Sequence, residues 1–175
     1  MTDPVDPDDE AINDFWNEAK RRIHLEEVSV YVGPSPLAAV PPPAWSFGSA
    51  EQGDALLALV LDGTKTATAS ALRDYESEDS PLPEPGSMGI VLDGSGNPRA
   101  LVATTDVRVA RFDEVDAEHA RLEGEGDRSL DHWREVHERF FAEHAPGGFS
   151  PDMKVVLERF KVVYPPSSRP HAQGR

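Results

Sequence analysis

The chain has 175 residues, 38% hydrophobic and 28% charged, and its 32 acidic against 17 basic side chains leave a formal charge of −15. That length suits one domain with a sizeable core, and zero cysteines exclude disulfides, a thiolate nucleophile and any Cys-based zinc site. The negative surplus argues against duplex DNA as a partner, and the lack of any apolar run near ~20 residues excludes a helical membrane span.

From the start, Met1 to Glu10 is acidic and proline-bearing, with no basic region followed by an apolar core, which points to the cytoplasm. Asp9 to Leu25 predicts a helix, because Ile12, Phe15, Trp16, Ala19 and Ile23 fall on one stripe at 3–4 spacing. A proline-rich passage follows, from the turn signal Gly33-Pro34 through Pro41-Pro42-Pro43, and reads as an extended connector. Ser49 then opens a second helix, with Gln52 completing a capping box, Ala55, Leu56, Leu59 and Val60 as its apolar face and Gly63 as its stop. Beyond the segment Thr64 to Ser70 lies a polar loop, Glu76 to Gly86. Ile90 to Leu92 and Ala100 to Val109 predict strands joined by the hairpin signal Asp93-Gly94-Ser95-Gly96-Asn97-Pro98.

Phe112-Asp113-Glu114-Val115 leads into a short helix that reaches Leu122 and is stopped by the glycines after Glu123. Asp127 or Ser129 starts another, with Leu130, Trp133, Val136, His137, Phe140 and Phe141 on its inner side and Gly147-Gly148 as its break. Val155 to Tyr164 predicts a closing strand, and Pro165 onward a disordered tail. Strands separated by helices favour an α+β arrangement, a small twisted sheet or barrel with helices outside. Neither a G-x-G-x-x-G nor a Walker motif is present, which disfavours a doubly wound nucleotide-binding fold.

Two segments carry chemistry. Asp62-Gly63-Thr64-Lys65-Thr66-Ala67-Thr68-Ala69-Ser70 sets one lysine among hydroxyls directly after a helix stop. In a partly dry setting Lys65 becomes a neutral amine able to take a threonine proton, whereas a neighbouring carboxylate holds it charged as an electrostatic stabiliser. The same run also reads as an ordinary strand with a solvated lysine. The second segment is Glu118 to Asp127, where glycines alternate with acids, and His119 and Glu123, four apart, share a helical face. Mg²⁺ or Mn²⁺ suits these oxygens better than zinc, though no established metal spacing is matched. Arg108, Arg111 and Arg121, or Lys154, Arg159 and Lys161, could form a local basic patch. Trp45, Phe47, Tyr75 and Trp133 could stack a base, as core residues also do.

Gly63-Thr64-Lys65-Thr66-Ala67-Thr68 fits the G-x-K-x-x-T signature of ASCH (activating signal cointegrator homology) domains. Together with the hairpin, Phe112-Asp113-Glu114-Val115, Glu123 to Ser129 and Glu158-Arg159-Phe160, it resembles the longer bacterial members of that family. The resemblance implies a PUA-like small β-barrel with flanking helices over residues 45–164, preceded by a helix and proline-rich connector at 1–44 and followed by a tail at 165–175. It also implies a cleft for a nucleoside or single-stranded RNA. Small members hydrolyse N4-acylcytidines with a lysine, a threonine and a glutamate, which correspond to Lys65, Thr68 and Glu123. Gly63, Thr66, Ser70, His119 and Trp45 are the accompanying candidate substrate contacts, Ser70 standing where the small members tend to have arginine. That reaction needs no cofactor. Two alternatives are an RNA-acting protein (a single-strand reader or a ribonuclease using Mg²⁺ or Mn²⁺) and a non-catalytic small-ligand domain in which Lys65 stays charged.

Overall fold

A computed structural model describes residues 8–26, 40–48 and 50–166. Ser49, the turn at Gly33-Pro34 and most of the proline-rich passage and tail lie outside the described residues. The elements are α1 (Asp9–Glu26), β1 (Ala44–Trp45), α2 (Ala50–Asp62), β2 (Ala67–Ala71), α3 (Leu72–Glu78), β3 (Met88–Leu92), β4 (Pro98–Arg111), a 3-10 turn (Phe112–Glu114), α4 (Ala117–Glu123), α5 (Leu130–His144) and β5 (Lys154–Tyr164). The strands hydrogen-bond in the order β1-β3-β4-β5-β2, so β1 and β2 are edges and the sheet is open. The expected α+β arrangement with flanking helices is present, and its sheet is not closed into a barrel. With edge strands of two and five residues, neither edge offers a long ladder for closure.

The chain forms two compact units, Met1–Gly63 with Met88–Val102 and Val162–Arg175, and Thr64–Ser87 with Ala103–Lys161. In the first, Ile12, Trp16 and Ala19 of α1 are buried against Ile90, Leu92 and Leu101, with Phe15, Ile23 and Tyr164 packed around them. This is the stripe the 3.6-residue period predicts. The hairpin between β3 and β4 is held by Asp93, whose carboxylate accepts the backbone N–H groups of Ser95 and Asn97, both at 2.9 Å. Helix α2 differs from expectation in its face. Gly53, Leu57 and Val60 are buried and Leu56 and Leu59 half-buried, while Ala55 is exposed. The glycine fixes that rotation: a Cβ on Gly53 would stand 3.2 Å from the Phe47 carbonyl oxygen. The helix ends as expected at Gly63, whose φ of 81° is the left-handed stop.

In the second unit β2 pairs antiparallel with β5, Thr68 opposite Glu158 and Ala71 opposite Val155. Alternation divides β2 cleanly. Ala69 and Ala71 join a core of Phe112, Val115, Trp133, Phe141, Val155 and Leu157, whereas Thr68 and Ser70 lie on the opposite face. Helix α3 occupies part of what the sequence predicts as loop. Its N-cap is Ala71, which supplies no side-chain hydrogen bond, so no start signal announces it. Helices α4 and α5 are capped as their sequences dictate, Asp116 accepting from the His119 N–H and Ser129 from the His132 N–H. Phe140, expected on the inner side of α5, is 37% exposed and stacks on His144 instead.

Candidate active site around a buried lysine

Lys65 is 1% exposed, which overturns the reading of a solvated lysine. The segment that carries it is pinned on two sides. The Thr66 N–H donates to the Leu122 carbonyl at the end of α4 (2.8 Å), and the Thr66 carbonyl accepts from the Phe160 N–H of β5 (2.9 Å). This aims the lysine at the last residue of α4. Its Nζ donates to the Glu123 side chain (Oε2, 3.2 Å), the Glu123 carbonyl (3.4 Å) and Glu125 Oε1 (2.8 Å).

Glu123 is the hub. Its Oε1 accepts from Trp133 Nε1 at 2.8 Å and meets His119 Nε2 at 2.9 Å, and His137 Nε2 lies 3.4 Å from Oε2. The carboxylate is 1% exposed and surrounded by four polar partners. Turn geometry explains how it is placed. Gly124 has φ 74°, ending α4 so that the chain doubles back over Thr64, and Gly126 has φ 55° beneath the His132 ring. Glu125 between these glycines is partly exposed, with 22% of its side chain accessible.

The electrostatics follow from these contacts. Burial alone would drive the proton off Lys65, but Glu123 and Glu125 outweigh it and raise the lysine above its ordinary value. The neutral amine expected of a general base is thus opposed, and the charged alternative applies. Burial would likewise raise Glu123, yet Lys65 and then His137 hold it well below the ordinary carboxylate value. Burial pushes His137 down, and Glu123 more than reverses this, so His137 is raised. The sign of the pH dependence is then fixed. The His137 contribution to stability is complete below the ordinary 6.5 and is lost as pH rises through its raised value. The Glu123 contribution is complete above the ordinary 4.5 and is lost as pH falls through its depressed value. Urea midpoints measured from about pH 6 to about pH 9 should decline in the wild type and decline less in His137→Gln. Equal slopes would remove His137 from the ion cluster.

Of the other residues singled out by sequence, His119 joins the hub and Thr66 touches it through α4, its hydroxyl lying 3.5 Å from the Leu122 carbonyl. Thr68 is half-buried in β2, and among the described residues no hydrogen bond joins its hydroxyl to Lys65 or Glu123. Ser70 shares the Thr68 face and meets the Tyr75 hydroxyl at 3.1 Å. Gly63 and Trp45 belong to the first unit, where the Trp45 ring covers Gly89 so closely that a Cβ there would stand 1.8 Å from it. Trp133 is offered by the sequence only as a base-stacking or core aromatic, Glu125 only as part of the acidic stretch, and His137 only as a core-facing residue. The spacing of Trp133 and His137 fits a core face, and nothing in the pattern marks their ring nitrogens as partners of Glu123.

Among the described residues no cluster of three or more His, Asp or Glu side chains is arranged to hold a metal ion, and no helix is long and apolar enough to cross a membrane. In the acidic stretch, Lys65 engages Glu123 Oε2 and Glu125 Oε1. The first of the two candidate basic patches is paired in place: Arg108 with Asp116 (2.9 Å), Arg111 with Asp113 (2.6 Å) and Arg121 with Glu118 (2.8 Å).

Comparison with known proteins agrees with this architecture. The ASCH domain family matches residues 43–164. A crystal structure of a protein from Enterococcus faecalis V583, of the family DUF984, is 35% identical, with a TM-score of 0.72 over 87% of this chain and 88% of that one. An ASCH domain from Lactobacillus crispatus JV V101 is 27% identical, with a TM-score of 0.71 over 87% of this chain and 96% of that one. No match is found among curated proteins. The chain belongs to the ASCH domain family, and its open α+β sheet with flanking helices is a PUA-like fold.

Proposed function

We propose that this ASCH protein hydrolyses the amide of a neutral, nucleoside-sized substrate of the N4-acylcytidine kind. The observation that carries the reading is the fully buried Lys65 ammonium, fixed by Glu123 three residues before the half-buried Thr68. A preorganised cation in a dry site stabilises the negative charge that develops on an acyl oxygen during attack. Lys65 already spends its donors on Glu123 and Glu125. The acyl oxygen therefore replaces Glu125, the partly exposed partner, while Glu123 keeps the lysine in place. Glu123 acts as orienter, because a carboxylate held ionised by its neighbours is a poor proton carrier.

Thr68 supplies the nucleophilic hydroxyl. Its oxygen bonds to the acyl carbon, the carbon–N4 bond breaks, and N4 leaves with a proton as the free amine. One water then releases the acyl group as a carboxylic acid and restores the hydroxyl. Net charge favours this substrate class over RNA: a charge of −15 does not repel a neutral nucleoside, and the three arginines of one of the two candidate basic patches are paired with acids.

The test offers the protein N4-acetylcytidine and, separately, a single-stranded oligoribonucleotide at low salt with and without Mn²⁺. The expected result is cytidine and acetate, with no cleavage of the RNA. RNA cleavage without nucleoside turnover would replace this reading by the ribonuclease one, and thermal stabilisation by the nucleoside with no product by the ligand-binding one.

A further inference from the structure

The hydrolytic reading leaves one step without an agent, since something must take the Thr68 proton. Lys65 already carries its own, and the Glu123 carboxylate is surrounded by four polar partners. The antiparallel register of β2 on β5 sets Glu158 directly opposite Thr68. Directly opposed residues project to the same face with Cβ atoms about 4.5–5.5 Å apart, within reach of a carboxyl and a hydroxyl. Both residues are half-buried. The Glu158 side chain is also oriented, for its Oε1 accepts a short 2.5 Å hydrogen bond from the hydroxyl of the buried Thr104 on β4. Among the described residues no hydrogen bond engages its Oε2.

We infer that Glu158 is the general base of this site, taking the Thr68 proton as the oxygen attacks and returning it to the departing amine. This rests on the hydrolytic reading and adds to it a residue outside the Lys65, Thr68 and Glu123 set. The electrons balance within the group. As the Thr68 oxygen bonds to the acyl carbon, its proton passes to the Glu158 carboxylate and the carbonyl pair moves onto oxygen, opposite Lys65. On collapse the carbon–N4 bond breaks, its pair stays on nitrogen, and the Glu158 proton completes the amine. Water repeats the sequence on the acyl-threonine, giving its proton to Glu158 and releasing the acid.

The local chemistry suits the task. Burial raises Glu158 above the ordinary carboxylate value, and the Thr104 hydrogen bond partly offsets this, which moves the base toward neutral pH. Tyr75 of α3 is the titratable group whose field meets that of Glu158. It is itself raised, by burial first and by Glu158 among lesser causes, so it stays a neutral phenol while Glu158 titrates.

The experiment follows N4-acetylcytidine hydrolysis against pH for the wild type, Glu158→Gln and Thr104→Val, after each is shown to unfold cooperatively. Glu158→Gln preserves shape and should lower kcat by about 10²–10⁴-fold with KM nearly unchanged, abolishing the acid limb of the pH profile. Thr104→Val removes a hydrogen bond that favours the ionised carboxyl, so the acid limb should move to higher pH. A folded Glu158→Gln enzyme with wild-type kcat and an unchanged acid limb would overturn the assignment while leaving the hydrolytic reading intact. A wild type without turnover overturns both.

Discussion

Replacing Glu123 by alanine is expected to cost about 3–5 kcal/mol of stability, because it leaves a buried charge without its partner. The substitution strands the Lys65 ammonium at 1% exposure and takes from Trp133 Nε1 its acceptor at 2.8 Å. His119 and His137 lose their carboxylate contact in the same step. Glu125 and the Glu123 carbonyl still meet Lys65, so part of the ion pairing survives. Urea denaturation near neutral pH reads the loss directly. Combining Glu123→Ala with Lys65→Met should cost less than the sum of the two singles, since the second change removes the charge the first exposed. A loss under about 1 kcal/mol, the scale of a solvent-exposed pair, would contradict the hub described for Glu123.

Gly124→Ala should be nearly as damaging, at about 2–4 kcal/mol, through two separate causes. The residue has φ 74°, where an L side chain is strained, and the added Cβ would lie 2.7 Å from the Thr64 carbonyl oxygen. That neighbour is backbone, held beside the segment bearing Lys65, and cannot swing aside as a side-chain end would. Gly148→Ala separates the causes, because Gly148 has a similar φ of 72° but nothing within 4 Å of the new carbon. It should cost only about 1 kcal/mol for the backbone conformation. Equal losses in the two variants would mean that the close approach at Gly124 contributes nothing.

The physical origin of each element decides how legible it is in the sequence. Helix α1 reads correctly because Ile12, Trp16 and Ala19 fit a single helical stripe with polar residues between them. In α2, by contrast, Ala55, Leu56, Leu57, Leu59 and Val60 fit more than one stripe, and the choice among them is made by Gly53 lying against the Phe47 carbonyl. Helix α3 lacks a capping side chain at its N-terminus, so its seven residues merge with the polar loop after them. The α+β, PUA-like arrangement is legible, but not that the sheet stays open, since β1 contributes only two residues in a brief parallel contact with β3 at the sheet edge.

The site divides in the same way. His119 and Glu123 are visible as a pair because four residues on a helix share a face. The meeting of Lys65 with Glu123 spans 58 residues, and no local pattern encodes it; only the family resemblance implies it. The sequence leaves the charge state of Lys65 open, for it depends on whether burial or carboxylates dominate. Two carboxylates within 3.2 Å decide it in favour of the ammonium. Trp133 and His137 are core residues by pattern and by burial, and their second task, holding Glu123 through ring nitrogens, becomes visible only in three dimensions.

The most direct test of the hydrolytic site compares the wild type with Thr68→Val on N4-acetylcytidine, reading cytidine and acetate together. Thr68 is half-buried at a sheet edge, so valine replaces it with little change of shape and β propensity is kept. The site described here predicts stoichiometric cytidine and acetate from the wild type. Thr68→Val should unfold like the wild type and show a rate lower by at least about 10²-fold. Full activity in that variant, or a wild type that leaves the amide intact, would contradict the assignment.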